Sequence, residues 1–158
     1  MEYKDKKRHH VIATAGLILT RKNKNNENEF LLQLRSNTGY MDNKYDTASN
    51  GHLDEAESLL DATCREAKEE LNITIDKNDL KFVGVIHDYK ENYINFFFTA
   101  SKYIGTPIVN ETNKCKELLW TTKENLPDNT VPKIKEIITN FDLNKAIFLD
   151  NISNTFAL

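Results

Sequence analysis

Three glutamates, Glu66, Glu69 and Glu70, stand within one short stretch of the chain. An α-helix turns about 100° per residue, so their side chains fall within an arc of about 100°. Like charges at this spacing destabilise an isolated helix slightly. A hard divalent cation reverses that effect, because Mg²⁺ and Mn²⁺ prefer oxygen ligands. The spacing therefore indicates either a metal-binding face or a solvated acidic face paired with Arg65 and Lys68.

The segment Ser58–Leu71, which carries these glutamates, is the clearest predicted helix. Ser58 is a favourable N-cap, Asp61 completes a capping-box pattern, and Asn72 suits the left-handed turn that ends a helix. An apolar stripe, nearly opposite the carboxylates, is expected to face the core: Leu60, Cys64, Ala67 and Leu71. Two small residues lie between the carboxylates and are expected to leave room for a ligand: Ala62 and Thr63.

The residues around this helix follow a longer pattern that begins at Gly51. A glutamate follows after five residues, an Arg-Glu pair after seven more, and a Glu-Glu pair closes the set: Gly51, Glu57, Arg65, Glu66, Glu69 and Glu70. This pattern resembles the Nudix box, the signature of the Nudix hydrolase superfamily. The box would run from Gly51 to Ile73, and Asn72 is its one departure, since the family has glycine there. Asn tolerates positive φ, so the change concerns helix ending rather than chemistry.

The resemblance implies one Nudix domain over residues 1–158, with a core at about 9–142. It implies the family's three-layer α/β/α sandwich around a mixed sheet, an α/β fold of the α+β type. The order of elements alone gives a mixed sheet with helices on its faces. The implied cofactor is Mg²⁺, with Mn²⁺ as an alternative. The implied metal ligands are Glu66, Glu69, Glu70 and a backbone carbonyl at Asn50 or Gly51.

The resemblance also implies roles in catalysis. Arg65 is expected to orient the carboxylates, and Glu57 to pair with Arg65 or reach the metal through water. The resemblance leaves open which glutamate is the general base, because members of the family differ in this respect. The implied catalytic residues are Glu66, Glu69, Arg65 and Glu57.

Residues outside the helix are candidates for substrate contacts. Arg35 ends a predicted strand and His52 follows Gly51, so each is placed to meet a phosphate. Tyr40 lies in a loop and Glu117 in a later strand, where Glu117 is a candidate metal ligand, base or substrate contact and Glu111 is its weaker rival. Further candidates to surround the substrate are Met41, His87 and Phe97. Each also has an ordinary alternative as a surface or core residue.

The remaining sequence supplies the elements that must position these residues. Alternating and apolar runs predict strands, and polar runs predict the loops between them. The predicted strands are Val11–Thr20, Phe30–Leu34, Tyr45–Ser49, Leu80–Tyr89, Tyr93–Tyr103 and Glu117–Thr122. A second helix is predicted at Lys133–Phe141, and the segment from Asp142 receives no assignment.

Composition restricts the class of protein. The chain has 158 residues, 39% hydrophobic residues and a net charge of -3, which fits one soluble domain and not a general nucleic-acid binder.

Cys64 and Cys115 are expected to be free thiols of a cytoplasmic protein. No run is long enough to span a membrane. A basic segment (residues 4–8) before Val11–Leu19 faintly resembles a signal peptide, but a first buried strand is favoured.

Together these observations predict a metal-dependent hydrolase of nucleoside diphosphates linked to another moiety X. The expected partner is a small nucleotide-like molecule, with no nucleic acid and no membrane, and a monomer and a homodimer are both left open. One alternative is an isopentenyl-diphosphate isomerase-like enzyme, although positions 45–53 lack the cysteine that it needs. Another is a non-catalytic nucleotide-binding domain, although such domains usually lose the box carboxylates.

Overall fold

The computed structural model describes residues 8–150, which form eight strands and two α-helices. The strands are β1 (Ile12–Lys22), β2 (Asn28–Arg35), β3 (Tyr45–Thr47), β4 (Ser49–His52), β5 (Lys81–Asp88), β6 (Tyr93–Ala100), β7 (Cys115–Thr121) and β8 (Ile147–Asp150). The helices are α1 (Leu59–Leu71) and α2 (Pro132–Thr139).

Strand β1 is the centre of the sheet. It pairs antiparallel with β2 and β4 and parallel with β6. The strand order is β3-β2-β1-β6-β5-β8, while β4 pairs with β1 and β7 with β2. Because β5 and β8 are also parallel, the sheet is mixed, as the sequence predicts. The apolar run of β1 is buried from Thr14 to Thr20, which is typical of a strand covered on both faces.

The two helices cover opposite faces of this sheet. Leu17, Ala67 and Leu71 belong to one core cluster, which lies between the sheet and α1. Ile18 and Ile134 belong to the other, between the sheet and α2. The predicted three-layer α/β/α arrangement is therefore confirmed.

Both ends of α1 follow the sequence signals. The Ser58 hydroxyl accepts a hydrogen bond from the Asp61 N–H and donates one to the Asp61 carboxylate. Asn72 ends the helix in the left-handed region, at φ 54°, and its N–H bonds to the carbonyls of Ala67 and Lys68. The left-handed ending explains why asparagine can replace the family's glycine at this position.

One expectation about α1 is wrong. Ala62 and Thr63 are fully buried against the sheet and leave no room for a ligand. Glu66 is buried on the same side, so the carboxylate face adjoins the apolar stripe instead of opposing it. The ligand space lies beyond the carboxylates, at the edge of the sheet.

Two element predictions need correction. The predicted strand Tyr45–Ser49 is two short strands separated at Ala48, and β4 continues to His52, so Gly51 lies in a strand and not in a turn. The unassigned segment after Asp142 contains β8, which pairs with β5 at the sheet edge. A four-residue strand is too short to show a clear alternation of apolar and polar residues in one sequence.

Both cysteines are free, as expected. No helix among residues 8–150 is long and apolar enough to cross a membrane. Residues 4–7 of the basic N-terminal segment lie outside the described residues.

We expect Asn72→Ala to lower the free energy of unfolding by about 1 kcal/mol relative to Asn72→Gly, because alanine is strained at positive φ and glycine is not. Chemical denaturation of the two variants measures the difference. Equal stabilities would show that the left-handed ending of α1 is not populated in solution.

Candidate active site

Two carboxylates of α1 point into the interface between the helix and the sheet. Glu66 is only 9% exposed, and Glu70 lies one turn further along the same face. Opposite Glu66 stands Gly51 of β4, where an added Cβ would overlap the Glu66 carboxylate. The glycine is therefore required by space, because any side chain at position 51 would displace Glu66.

Arg65 is the cation that holds this arrangement. Its guanidinium donates to both carboxylate oxygens of Glu57, at 2.8 and 2.9 Å. It also donates to Glu66 at 2.7 Å, to the exposed Glu69 at 3.3 Å and to the carbonyl of His52 at 3.0 Å. Arg65 thus links α1, the preceding turn and β4, which is the orienting role that the resemblance implies.

Glu70 has much weaker compensation for its charge. Its carboxylate accepts a hydrogen bond of 3.0 Å from the Gln33 side chain of β2. Burial, together with repulsion from Glu66, raises the pKa of Glu70 from 4.5 to about 8. Burial also raises the pKa of Glu66, although the bond from Arg65 opposes the shift. The site therefore favours an additional positive charge.

These carboxylates open into a cleft of about 330 Å³. A third acidic residue, Glu111, lines it, and its carboxylate pairs with Lys114 at 3.0 Å. The segment around Glu111 is attached to the end of α1, because Asn110 donates from its N–H to the Glu70 carbonyl and from its side chain to the Glu69 carbonyl. We call this space the carboxylate lobe.

The donor set of the carboxylate lobe fits a hard divalent cation. Glu66 and Glu70 supply oxygen ligands, with the Glu111 carboxylate in the same space, and the raised pKa of Glu66 and of Glu70 means that their charged forms are favoured only beside a cation. Within residues 8–150, however, no three His, Cys, Asp or Glu side chains are already grouped as a coordination site. The carboxylates would have to converge slightly on an ion.

A second space of about 440 Å³ continues from the first, and the two share the lining residues Arg35, Thr38, Asn50, Gly51 and His52. It is otherwise lined by Thr14, Tyr40, Asp46, Asp88, Glu91, Tyr93, Asn95 and Lys133. We call this space the distal lobe.

The structure brings most of the sequence candidates to this cleft. Arg35 lines both lobes, but its guanidinium is largely engaged in donating to Asp46, to Thr38 and to the carbonyl of Tyr40. Arg35 therefore also holds the loop that carries Tyr40. His52 lines both lobes, and one of its ring nitrogens lies 3.3 Å from the Tyr93 hydroxyl.

Other candidates lie elsewhere. Glu117 does not line either lobe; its carboxylate accepts a hydrogen bond from the Tyr45 hydroxyl, which raises the pKa of that phenol to about 12. Its weaker rival Glu111 occupies the position beside the box carboxylates. Glu57 and Glu69 also stand outside the lining, and both contact Arg65.

The candidates Met41, His87 and Phe97 do not surround the cleft either. Phe97 is fully buried in the core beneath α2, and Met41 packs against that core. His87 pairs with Asp150 at the end of β8.

Several cleft side chains have no place in the sequence prediction, which considers Asn50 only for its backbone carbonyl: Gln33, Asn50, Asn95, Lys114 and Lys133. For three of these residues, the sequence contains a pattern from which a place in the site could have been predicted. Gln33 and Asn95 interrupt strongly apolar strands, and Lys133 stands at an inward position of a helix, which is unfavourable unless the polar group has a partner or a function. Asn50 and Lys114 lie in segments that are already polar, so they do not stand out among apolar neighbours.

The sequence matches the NUDIX domain family over residues 10–141. The chain belongs to the NUDIX family. The Nudix box identified in the sequence is therefore the family signature, and it supplies Gly51, Arg65, Glu66 and Glu70 of the site.

Solved NUDIX structures share the fold. A MutT NUDIX hydrolase from Burkholderia pseudomallei superposes with a TM-score of 0.72 at 21% identity, covering 83% of this chain and 98% of that one. DR0079 from Deinococcus radiodurans gives 0.64 at 18% identity, covering 88% of each chain. An Ap4A hydrolase from C. elegans gives 0.52 at 22% identity, covering 80% of this chain and 87% of its own. At these identities the likeness shows the fold alone. No curated protein matches the sequence.

We expect Gly51→Ala to abolish Mg²⁺ binding while the NUDIX domain stays folded, because the new methyl group displaces the Glu66 carboxylate. Calorimetric titration with Mg²⁺, together with circular dichroism, measures both properties. Ser101→Thr, which adds a methyl group at an exposed position outside the cleft lining, is the control. Normal Mg²⁺ affinity in Gly51→Ala would contradict the packing of Gly51 on Glu66.

The raised pKa of Glu70 predicts a pH dependence of stability. Folded Glu70 keeps its proton until about pH 8, whereas the unfolded chain loses it near pH 4.5, so the folded state binds more protons between these values. In the presence of a chelator, the melting temperature should therefore fall as pH rises through this window. Glu70→Gln should reduce the slope, and Mg²⁺ should stabilise the wild type more at pH 8 than at pH 6. The same slope in Glu70→Gln would contradict the prediction.

Proposed function

We propose that this NUDIX protein is a divalent-metal-dependent pyrophosphohydrolase of nucleoside diphosphates linked to a moiety X. The observation that carries the proposal is the pair of carboxylates, buried Glu66 and half-buried Glu70, facing a cleft with too little positive charge to balance them. A structural acidic surface would be solvated and would not raise the pKa of its carboxylates by burial.

The proposed ligands of the ion are Glu66 and Glu70, with Glu69 and the carbonyl at position 50 or 51 as further candidates. When bound, Mg²⁺ or Mn²⁺ neutralises phosphoryl oxygens and lowers the pKa of a coordinated water. Arg65 keeps Glu66 in position, and Glu57 keeps Arg65 in position, so these two are positioning residues. Lys114 lines the carboxylate lobe and is placed to neutralise a phosphate oxygen.

The proposed reaction is a substitution at phosphorus. The oxygen of a water molecule forms a bond to one phosphorus, the anhydride P–O bond breaks, and two phosphate products leave with the water's proton passed to a base. Glu111 is the proposed base, because its carboxylate lies in the lobe but on a segment separate from the helix. The products are a nucleoside monophosphate and phosphorylated X, which is pyrophosphate when the substrate is a nucleoside triphosphate.

The alternative assignment as an isomerase gains no support from the cysteine that lines the cleft. The Cys115 thiol donates to the carbonyl of Glu117 at 3.3 Å, and burial raises its pKa. Its hydrogen is directed to the backbone and away from a substrate. The presence of every box carboxylate likewise favours a catalytic domain over a non-catalytic one.

We expect Glu66→Gln and Glu70→Gln each to reduce kcat by about 100-fold or more, because each removes a charge that holds the ion. The assay is a panel of nucleoside triphosphates, dinucleoside polyphosphates and nucleotide sugars with Mg²⁺ or Mn²⁺, followed by chromatographic quantification of the nucleotide products.

The exposed Glu124 provides a matched control, since Glu124→Gln changes the same chemical group far from the cleft and should leave turnover unchanged. Turnover that persists in both Glu66→Gln and Glu70→Gln would refute the proposed function. A turnover rate that does not change on addition of metal or chelator would refute the metal requirement.

A further inference from the structure

The distal lobe is a second built space beside the carboxylates, and the proposed reaction leaves it unexplained. Its volume of about 440 Å³ falls in the range of small-molecule sites. The two lobes adjoin at β4. A substrate with its phosphates in the carboxylate lobe would therefore place another part of its structure in the distal lobe.

Asn95 presents an unpaired donor in this lobe. The residue is 2% exposed, and its side-chain oxygen accepts a hydrogen bond of 2.9 Å from the Thr14 hydroxyl. Its amide nitrogen, Nδ2, is buried and has no hydrogen-bond partner among residues 8–150. Since a buried N–H without a partner is unfavourable, the lobe is suited to a ligand that supplies an acceptor.

Lys133 presents a second donor. It is 7% exposed, and within the described part of the chain its ammonium makes no hydrogen bond or ion pair. Its one described contact is with the ring of Tyr40, at 5.8 Å from the centroid. An ammonium only donates hydrogen bonds, so Lys133 also favours an acceptor on the ligand.

The charges of the lobe argue against a phosphate or carboxylate as that ligand. Asp46, Asp88 and Glu91 line the same space as Lys133 and would repel an anion. A neutral group with carbonyl oxygens meets both requirements. Asn50 adds a buried side-chain oxygen without a partner, which suits an N–H or hydroxyl of the same ligand.

We propose that the distal lobe binds the nucleobase of the substrate and that Asn95 and Lys133 select bases with a carbonyl acceptor at the recognised edge. Guanine, hypoxanthine and uracil carry such an acceptor, whereas adenine and cytosine carry an amino group at the corresponding position. This inference rests on the proposed function, because it assumes that the phosphates of the substrate occupy the carboxylate lobe.

Binding of nucleoside monophosphates in the presence of Mg²⁺ tests the inference independently of catalysis, because these ligands contain no anhydride bond to cleave. Calorimetry with saturating Mg²⁺ measures the dissociation constants of GMP, IMP, UMP, AMP and CMP. We expect the keto nucleotides to bind at least about tenfold more tightly than the amino nucleotides. Asn95→Leu and Lys133→Met should each remove that preference, and Asn95→Asp, which replaces the donor by an acceptor, should weaken keto nucleotides most.

Each variant has a matched control outside the lobe. Lys135→Met changes an exposed lysine of the same helix, and Asn144→Leu changes an exposed asparagine, so both should keep the wild-type preference. Circular dichroism checks that the variants fold. If Asn95→Leu does not fold, Lys133→Met and Asn95→Asp carry the test.

Equal binding of all five nucleotides, or a preference for AMP and CMP, would overturn the inference. A wild-type preference that survives in Lys133→Met and in every folded Asn95 variant would overturn it as well. Failure of the proposed function looks different, because it appears as turnover that persists in Glu66→Gln and Glu70→Gln, whatever base is preferred.

Discussion

The structure depends on keeping negative charge buried at one place. Removing a carboxylate from water is costly, and Glu66 and Glu70 are both held between helix and sheet. The surrounding residues limit that cost unevenly. Arg65 bonds to Glu66 but not to Glu70, which receives only the Gln33 amide. Because Glu70 has no cationic partner, the site favours binding of a cation. The energetically unfavourable burial of this carboxylate is therefore suited to a function.

Strand β4 divides the cleft into its two lobes. Successive residues of a strand point to opposite faces of the sheet. The Cβ position of Gly51 faces Glu66 on the α1 side. The side chain of Asn50 lies close to Gly16, a position beside Phe97 in the core under α2. Both residues line both lobes, but the Cβ position of Gly51 and the side chain of Asn50 lie on opposite faces of β4.

The sequence predicts the parts of this protein that local pattern controls. The capping of α1, its left-handed end at Asn72, and the spacing of the box glutamates all follow from residues close in sequence. It does not predict which glutamates are buried, because that depends on the approach of Gly51 and Gln33 from distant strands. The same limit explains Glu111 and Glu117, whose positions depend on how the segment before β7 is attached to α1.

The pairing of β1 with β4 has a consequence for how such a protein can change. Ala15 is paired with Gly51 and Gly16 with Asn50, so a one-residue insertion in β4 would send each side chain to the other face. The hydrogen-bond ladder fixes the register of the two strands. Residues can therefore be substituted there, but the register cannot shift. The loop at 36–44 lies outside the strands and has no such ladder. New substrate preferences can accumulate there in small steps while the reaction chemistry is inherited unchanged.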